Sequence, residues 1–254
     1  MSIFKPRTDF KKAIVFVDYE YWFYSYKNQY SMRPNLTAWR RALEEQYRIV
    51  DIMIFADFNS PIGEDLARIR SITNTIIETG TANQQRKKDM TDFVMLDYIY
   101  QSVTDREDVG TDVIFPGDGH VQSVIKYLIQ TCRKNVVVYG VESTFSTRLS
   151  AVATNVVLLP SREDLDDCYA QMIIKNFARI ESKRNVIPTF WDTIEFVARQ
   201  NNVPQDAVKS VMLKLISNEY VHQKEVASGR REDVRILVPD WDRMRRDGLY
   251  DYQQ

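Results

Sequence analysis

Four aspartates in this chain have the types and spacing that could do chemistry. The stretch FPGDGHVQSV (115–124) sets Asp118 and His120 two residues apart, between a short apolar run and a helix-like one. Asp18 ends the run KAIVFVD (12–18), and Asp57 ends VDIMIFAD (50–57). Three strand-like runs thus each deliver a carboxylate at the carboxyl end. Any one alone reads as a helix cap or an Asx-turn, and together they point to a site. In KKDMTDFVMLDYIYQSV, Asp92 is followed at +4, +7 and +11 by Leu96, Ile99 and Val103, which puts it at the head of a buried helical stripe. A carboxylate pointing inward needs hydrogen bonds or a cation. Asp89, one turn earlier, can second it, while Asp97 falls on a neighbouring face as an outer ligand or an ion-pair partner.

Several carboxylates with hardly any histidine or cysteine nearby describe a hard-cation site for Mg²⁺ or Mn²⁺ and not a zinc site. A divalent ion there would lower the pKa of a water, place it in line with a phosphate and neutralise the phosphoryl oxygens. The natural reaction is phosphodiester hydrolysis, with Lys88 able to contact a phosphate. Phosphate-monoester chemistry expects a second aspartate two residues after the first, and Asp18 is followed instead by Tyr19 and Glu20. Neither G-x-G-x-x-G nor a Walker motif is present. Gly117 and Gly119 bracket Asp118 without that pattern and suit a tight turn close to a ligand.

The elements that must position these groups alternate. Strand-like runs at 12–18, 50–57, 112–118, 135–140 and 155–160 are nearly continuous in β-branched and apolar residues, as strands covered on both faces require. Amphipathic helical segments fall at about 35–47, 61–78, 90–103 and 120–132, the last repeating Val121, Val124, Ile125, Leu128 and Ile129. Strands alternating with helices imply an α/β fold with a parallel, doubly wound sheet over residues 1–160. In such sheets ligands collect at the carboxyl ends of strands, beside the point where strand order reverses.

The blocks AIVFVDYEYW, KKDMTDFVMLDYIY, VIFPGDGHVQSVIKYL and VVVYGVESTFSTRLSAVATNVVLLP resemble, in order and spacing, the NYN domain (LabA-like) family of the PIN-like nuclease superfold. The resemblance covers about residues 10–160. It implies a PIN-like three-layer α/β/α sandwich and a metal-dependent ribonuclease site, onto which Asp18, Asp92 and Asp118 map by position. Many relatives carry a second aspartate in a GDxD turn, where this chain has His120. Imidazole can ligate Mn²⁺, shuttle a proton, bind phosphate or simply cap the helix, whereas Mg²⁺ strongly prefers oxygen. After the fourth of these strands, Ser143, Thr144 and Ser146 could hold a phosphate or serve as N-caps. The aromatic run DYEYWFYSYKNQY could stack on RNA bases wherever a ring faces the cleft, its other rings being core.

Beyond Pro160 strand patterns nearly vanish. Three helical segments followed by HQKEVASGRREDVRILVP give the order of a winged helix over 161–254, with Ser228-Gly229 at the hairpin tip and Arg230-Arg231 beside it. Its third helix would expose Gln205, Asp206, Lys209 and Lys214, so protein docking and nucleic-acid binding are both open. Overall charge is −1, so a nucleic-acid partner would have to use local patches such as Arg86-Lys87-Lys88, Arg230-Arg231 and Arg243-Arg245-Arg246. No window is apolar enough to span a membrane, and Cys132 and Cys168, far apart in helical patterns, read as packing residues of a cytoplasmic protein. The expected function is a metal-dependent endoribonuclease. The alternatives are a non-catalytic RNA-binding adaptor with a degenerate site and a winged-helix DNA-binding regulator.

Overall fold

The computed structural model describes residues 9–80, 87–181, 186–226 and 234–250, with side chains in the fourth helix from Met90 onward. Two compact units divide the chain, Met1–Leu159 and Pro160–Gln254.

In the first unit, β1 (Asp9–Asp18), β2 (Arg48–Ala56), β3 (Ile76–Glu78), β4 (Val109–Phe115), β5 (Asn135–Val141) and β6 (Asn155–Leu159) form one sheet. Its order is β3-β2-β1-β4-β5-β6, and every pair is parallel. The chain runs outward from β1 to β3 and then restarts on the other side of β1 with β4. The carboxyl ends of β1 and β4 therefore flank the topological switch point, where a crevice opens.

Burial explains why these runs are strands. Ala13 to Asp18 and all of β4 are buried, as a sheet covered on both faces demands. Successive side chains alternate between faces. Val15, Val17 and Phe115 join Trp22 of α1 (Tyr19–Tyr30) and Trp39 and Leu43 of α2 (Leu36–Gln46) in one cluster. Ile14, Phe16 and Ile114 join Met95 and Ile99 of α4 (Lys87–Asp105) and Leu128 of α5 (Gln122–Gln130) in another. The result is three layers, helices on both faces of the sheet.

Two segments differ from the sequence reading. The helix expected over 61–78 is a 3₁₀ turn (Pro61–Asp65), a short α3 (Leu66–Arg70) and the edge strand β3. Three residues pairing through Ile76 and Ile54 are too short to register as a periodicity. The aromatic run after Asp18 is itself a helix, because its rings at 19, 22, 23 and 26 share one face and bury together.

Two buried charge networks support the sheet. Asp65, fully buried, accepts from Tyr19 Oη at 2.9 Å, from Arg68 at 3.0 Å and from Arg33 at 3.3 Å, tying α1 to the 3₁₀ turn. Burial and the Asp65 hydrogen bond hold the Tyr19 phenol well above its ordinary range. Inside β4, Asp112 lies 3.2 Å from Lys134 Nζ with both side chains buried. Burial pushes the Asp112 carboxyl up to about 6, and Lys134 pulls against that shift.

The second unit comprises α7 (Arg162–Glu181), α8 (Phe190–Asn201), α9 (Gln205–Ser217), an antiparallel hairpin of β7 (Val221–Val226) and β8 (Val234–Pro239), and α10 (Trp241–Arg246). Here α6 (Thr147–Ser150) belongs to the first unit. Ile173, Phe177, Val197, Met212, Leu237 and Met244 form the second unit's own core. Thr189 starts α8 by accepting from Asp192 N, and Asn202 ends it in the left-handed region. On α9, Gln205, Asp206 and Lys214 are exposed, whereas the Lys209 ammonium lies 5.0 Å from the centroid of the Trp191 ring. The basic run on α10 is compensated: Arg243 pairs with Glu219 at 2.8 Å and Arg245 with Asp242 at 2.6 Å. Ser228, Gly229, Arg230 and Arg231 lie outside the described residues. No helix among the described residues is long and apolar enough to cross a membrane. Both cysteines are unpaired, and burial pushes the Cys168 thiol up.

Candidate functional site

Asp18 is the last residue of β1 and the N-cap of α1, its Oδ1 accepting from Tyr21 N at 2.9 Å. It is 6% exposed. Burial pushes its carboxyl up to about 7; Asp92 and Glu20 push the same way, and the Tyr21 N–H opposes them.

Asp118 follows β4 and caps the 3₁₀ turn Gly119–Val121. Its Oδ1 accepts from His120 N at 2.7 Å, and its Oδ2 lies 2.7 Å from His120 Nδ1. The imidazole is 79% exposed, so this pair sits at the rim. Asp92 comes from α4. The fully buried stripe of that helix is Thr91, Met95, Ile99 and Ser102, one residue from the stripe expected; Asp92 lies on its shoulder with Leu96 and Val103. That offset turns the carboxylate toward the crevice instead of into the core.

Asp92, Asp118 and His120 each offer an atom within 4.8 Å of the others. Asp18 joins them through Gly117. A β-carbon at residue 117 would stand 2.5 Å from Asp18 Oδ2 and 3.6 Å from Asp92 Oδ1, so only a glycine lets the β4 turn pass this close to both. Gly117→Ala is expected to displace the Asp18 carboxylate and to cost about 1–3 kcal/mol, readable as an earlier urea midpoint.

These groups open on a cleft of about 620 Å³ lined by Asp18, Asp92 and Asp118 together with Tyr21, Tyr24 and Asn28 of α1. That volume is in the range of ligand sites. Among the described residues that line it there is no lysine or arginine. Three oxygen-donor side chains from three separate elements, one of them buried and raised to about 7 chiefly by that burial, fit a hard divalent cation.

The other sequence candidates divide. Thr144 lines the cleft, its Oγ1 2.8 Å from Tyr21 Oη. Ser146 stands at the head of α6 with no side-chain cap bond, its Oγ against Gly119. Ser143 is exposed and does not line the cleft. Asp57 is buried, but its Oδ1 accepts from Asn59 N at 3.0 Å and it does not line the cleft: it is the turn cap of β2. Asp97 is exposed and accepts from Gln101 Nε2 at 2.9 Å. The side chains of Lys88 and Asp89 lie outside the described residues, as do those of Arg86 and Lys87.

Sequence reasoning offered the aromatic run as a stacking surface without saying which rings face the cleft, and it missed Ser25 and Asn28. Tyr21, Tyr24, Ser25 and Asn28 line the cleft from one face of α1, at spacings of three and four residues. That signal was present, masked by the stronger aromatic stripe on the opposite face. Glu20 and Thr91 also line it, and the stem of Arg148 lies beside Gly119, its Cδ 3.9 Å from the β-carbon position there.

No protein-family model matches this chain, and no curated protein matches it either. Among solved structures it is similar to a protein of unknown function from Vibrio parahaemolyticus RIMD 2210633, with 20% identity and a TM-score of 0.52 over 61% of this chain and 97% of the other. Similarity at that level speaks to the α/β fold alone.

Proposed function

We propose that the first unit is a divalent-metal-dependent ribonuclease that hydrolyses RNA phosphodiester bonds, with Asp18, Asp92 and Asp118 as the metal-holding carboxylates. The observation that carries this reading is their meeting in one cleft at the β1/β4 switch point, one of them buried with a carboxyl pushed up to about 7. The arrangement is consistent with the PIN-like layout that the NYN resemblance implies. Mg²⁺ or Mn²⁺, when bound, would supply charge neutralisation at the phosphoryl oxygens.

The chain's own residues do the rest. Asp18 stays in place because it caps α1, and Asp118 because it caps its turn. His120 donates through Nδ1 to Asp118 in its neutral form, which leaves Nε2 as an acceptor at the rim, suited to taking a proton or contacting a leaving group. Thr144, held beside Tyr21 in the same cleft, offers a hydroxyl to the substrate. The second unit serves to position RNA or a protein or DNA partner. A cytoplasmic setting accords with two unpaired thiols.

The test is cleavage of labelled single-stranded RNA with Mn²⁺ or Mg²⁺, beside Asp118→Asn. Metal-dependent cleavage is expected to fall at least about 100-fold in the variant, an effect of about 3 kcal/mol on the barrier. Undiminished cleavage by the variant would sink the assignment. The Asp118–His120 hydrogen bond favours one second reading, a non-catalytic RNA-binding adaptor, because it occupies an oxygen that a metal would want. RNA binding without metal-dependent turnover is what that reading expects.

A further inference from the structure

We propose that the cleft-facing side of α1 is a base-reading subsite, in which the Tyr24 ring and the Asn28 carboxamide hold an unpaired nucleobase next to the scissile phosphate. The inference rests on the ribonuclease reading for the position of that phosphate.

Helix α1 has two unlike faces. Tyr19, Trp22, Phe23 and Tyr26 are buried in the core. Tyr21, Tyr24, Ser25 and Asn28 fall on the other side and line the cleft. The helix starts at Asp18, so a phosphate lying against the carboxylates sits at its N-terminal end, and the neighbouring nucleotide falls along the helix, toward Tyr24 and Asn28. One helical turn is about 5.4 Å, so Tyr24 and Asn28 stand one above the other at nucleotide scale.

The wall divides into two neighbouring rows along the helix. One row is already engaged: Tyr21 Oη and Ser25 Oγ both meet Thr144 Oγ1, at 2.8 and 3.3 Å. In the row beside it, Tyr24 is half-buried, with its ring braced edge-on by Phe23 at 5.3 Å, and Asn28 is exposed. A braced aromatic ring offers a stacking face, and a carboxamide offers a donor and an acceptor together, the pairing that a base edge matches.

Charge decides between base and backbone. The lining contains the carboxylates of Asp18, Glu20, Asp92 and Asp118. These carboxylates repel a phosphate chain wherever no metal intervenes, and a duplex would present mainly phosphates to them. What the wall can attract is a neutral, flat, hydrogen-bonding group, and in a single strand the base is free to supply that.

The test uses the full-length chain with Asp118→Asn, so that RNA survives, and Mg²⁺ throughout. Fluorescence anisotropy compares three labelled probes: a short oligoadenylate, an abasic strand of the same length, and a duplex. Oligoadenylate is expected to bind at least about tenfold tighter than the other two, with a shallower salt dependence than phosphate-dominated binding shows. Adding Tyr24→Ala should weaken oligoadenylate about 5- to 150-fold, the loss of one stacked base, and leave the abasic strand unchanged. Tyr24→Phe should retain binding, and Asn28→Ala should weaken it without touching the core, which guards against a folding artefact. Equal affinity for abasic and base-bearing strands, or equal losses on both with Tyr24→Ala, would overturn the subsite. Absence of binding to all three probes would do the same. Cleavage by the unsubstituted protein is scored separately: turnover with an unaffected Tyr24→Ala variant rejects the subsite and keeps the ribonuclease, and base-dependent binding with no turnover does the reverse.

Discussion

Asp18→Asn is expected to make this protein more stable at pH 8 while abolishing its metal response. The Asp18 carboxyl stands near 7 in the folded chain against 3.8 for an unperturbed aspartate, so the native state keeps a proton that the unfolded chain has released. Whatever this group contributes is intact below about pH 4, falls as pH rises through 7, and becomes a full penalty above it. A gap of about three pKa units corresponds to about 4 kcal/mol as an upper bound at pH 8. Asparagine removes the charge and still caps α1. Urea unfolding at pH 5 and pH 8 should therefore show a stability that declines for the original protein and declines much less for the variant. The residual slope includes Asp112, whose carboxyl is also pushed up, to about 6, and Asp167, which partial burial and its acidic neighbours raise. Adding Mn²⁺ at pH 8 should raise the midpoint of the original protein and not that of the variant, because an ion stabilises only the state that binds it. Parallel pH profiles for the two proteins would show that Asp18 is not the titrating group.

The largest purely structural effect is expected at Asp65. Asp65→Ala strands the Tyr19 hydroxyl in a fully buried position and removes one partner each from Arg33 and Arg68, which keep Glu64 and the Pro34 carbonyl. The guanidinium groups are about half-exposed and can turn to water, so most of the loss comes from the tyrosine and the packing it fixes. A loss of about 3 kcal/mol is expected by denaturant unfolding. Tyr19→Phe alone should cost about 1 kcal/mol, and the double variant should cost clearly less than the sum, since both changes break one network. Additive losses would mean that Tyr19 and Asp65 act independently.

The sequence carried the fold wherever burial was continuous. Five of the six strands of the sheet have runs of β-branched and apolar residues that no amphipathic helix would show. β3 has only three residues on an edge, too few to interrupt a helical pattern. The carboxylates Asp18, Asp92 and Asp118 were legible because strand ends and helix starts carry their own signals. Asp57 gave the same signal and went to its own turn, because a strand-end aspartate caps its own loop unless a neighbouring element turns toward it. Asp112 and Lys134 were not legible at all: a charge inside a strand looks like an outward residue until both faces are known to be covered. The wall of α1 was hidden by its aromatic content, since seven rings in one run obscure which of them face inward.

That division of α1 has an evolutionary consequence. Its core positions, Tyr19, Trp22, Phe23 and Tyr26, share no residue with its cleft positions. At exposed Asn28 a lineage can rewrite what the helix touches in the cleft without disturbing what holds it to the sheet, whereas Tyr21 and Tyr24 also pack against the core. The aspartates proposed to hold a metal lie outside that variable surface. New substrate preferences on this scaffold should accordingly arise first at Asn28, while the residues that anchor the helix change slowly.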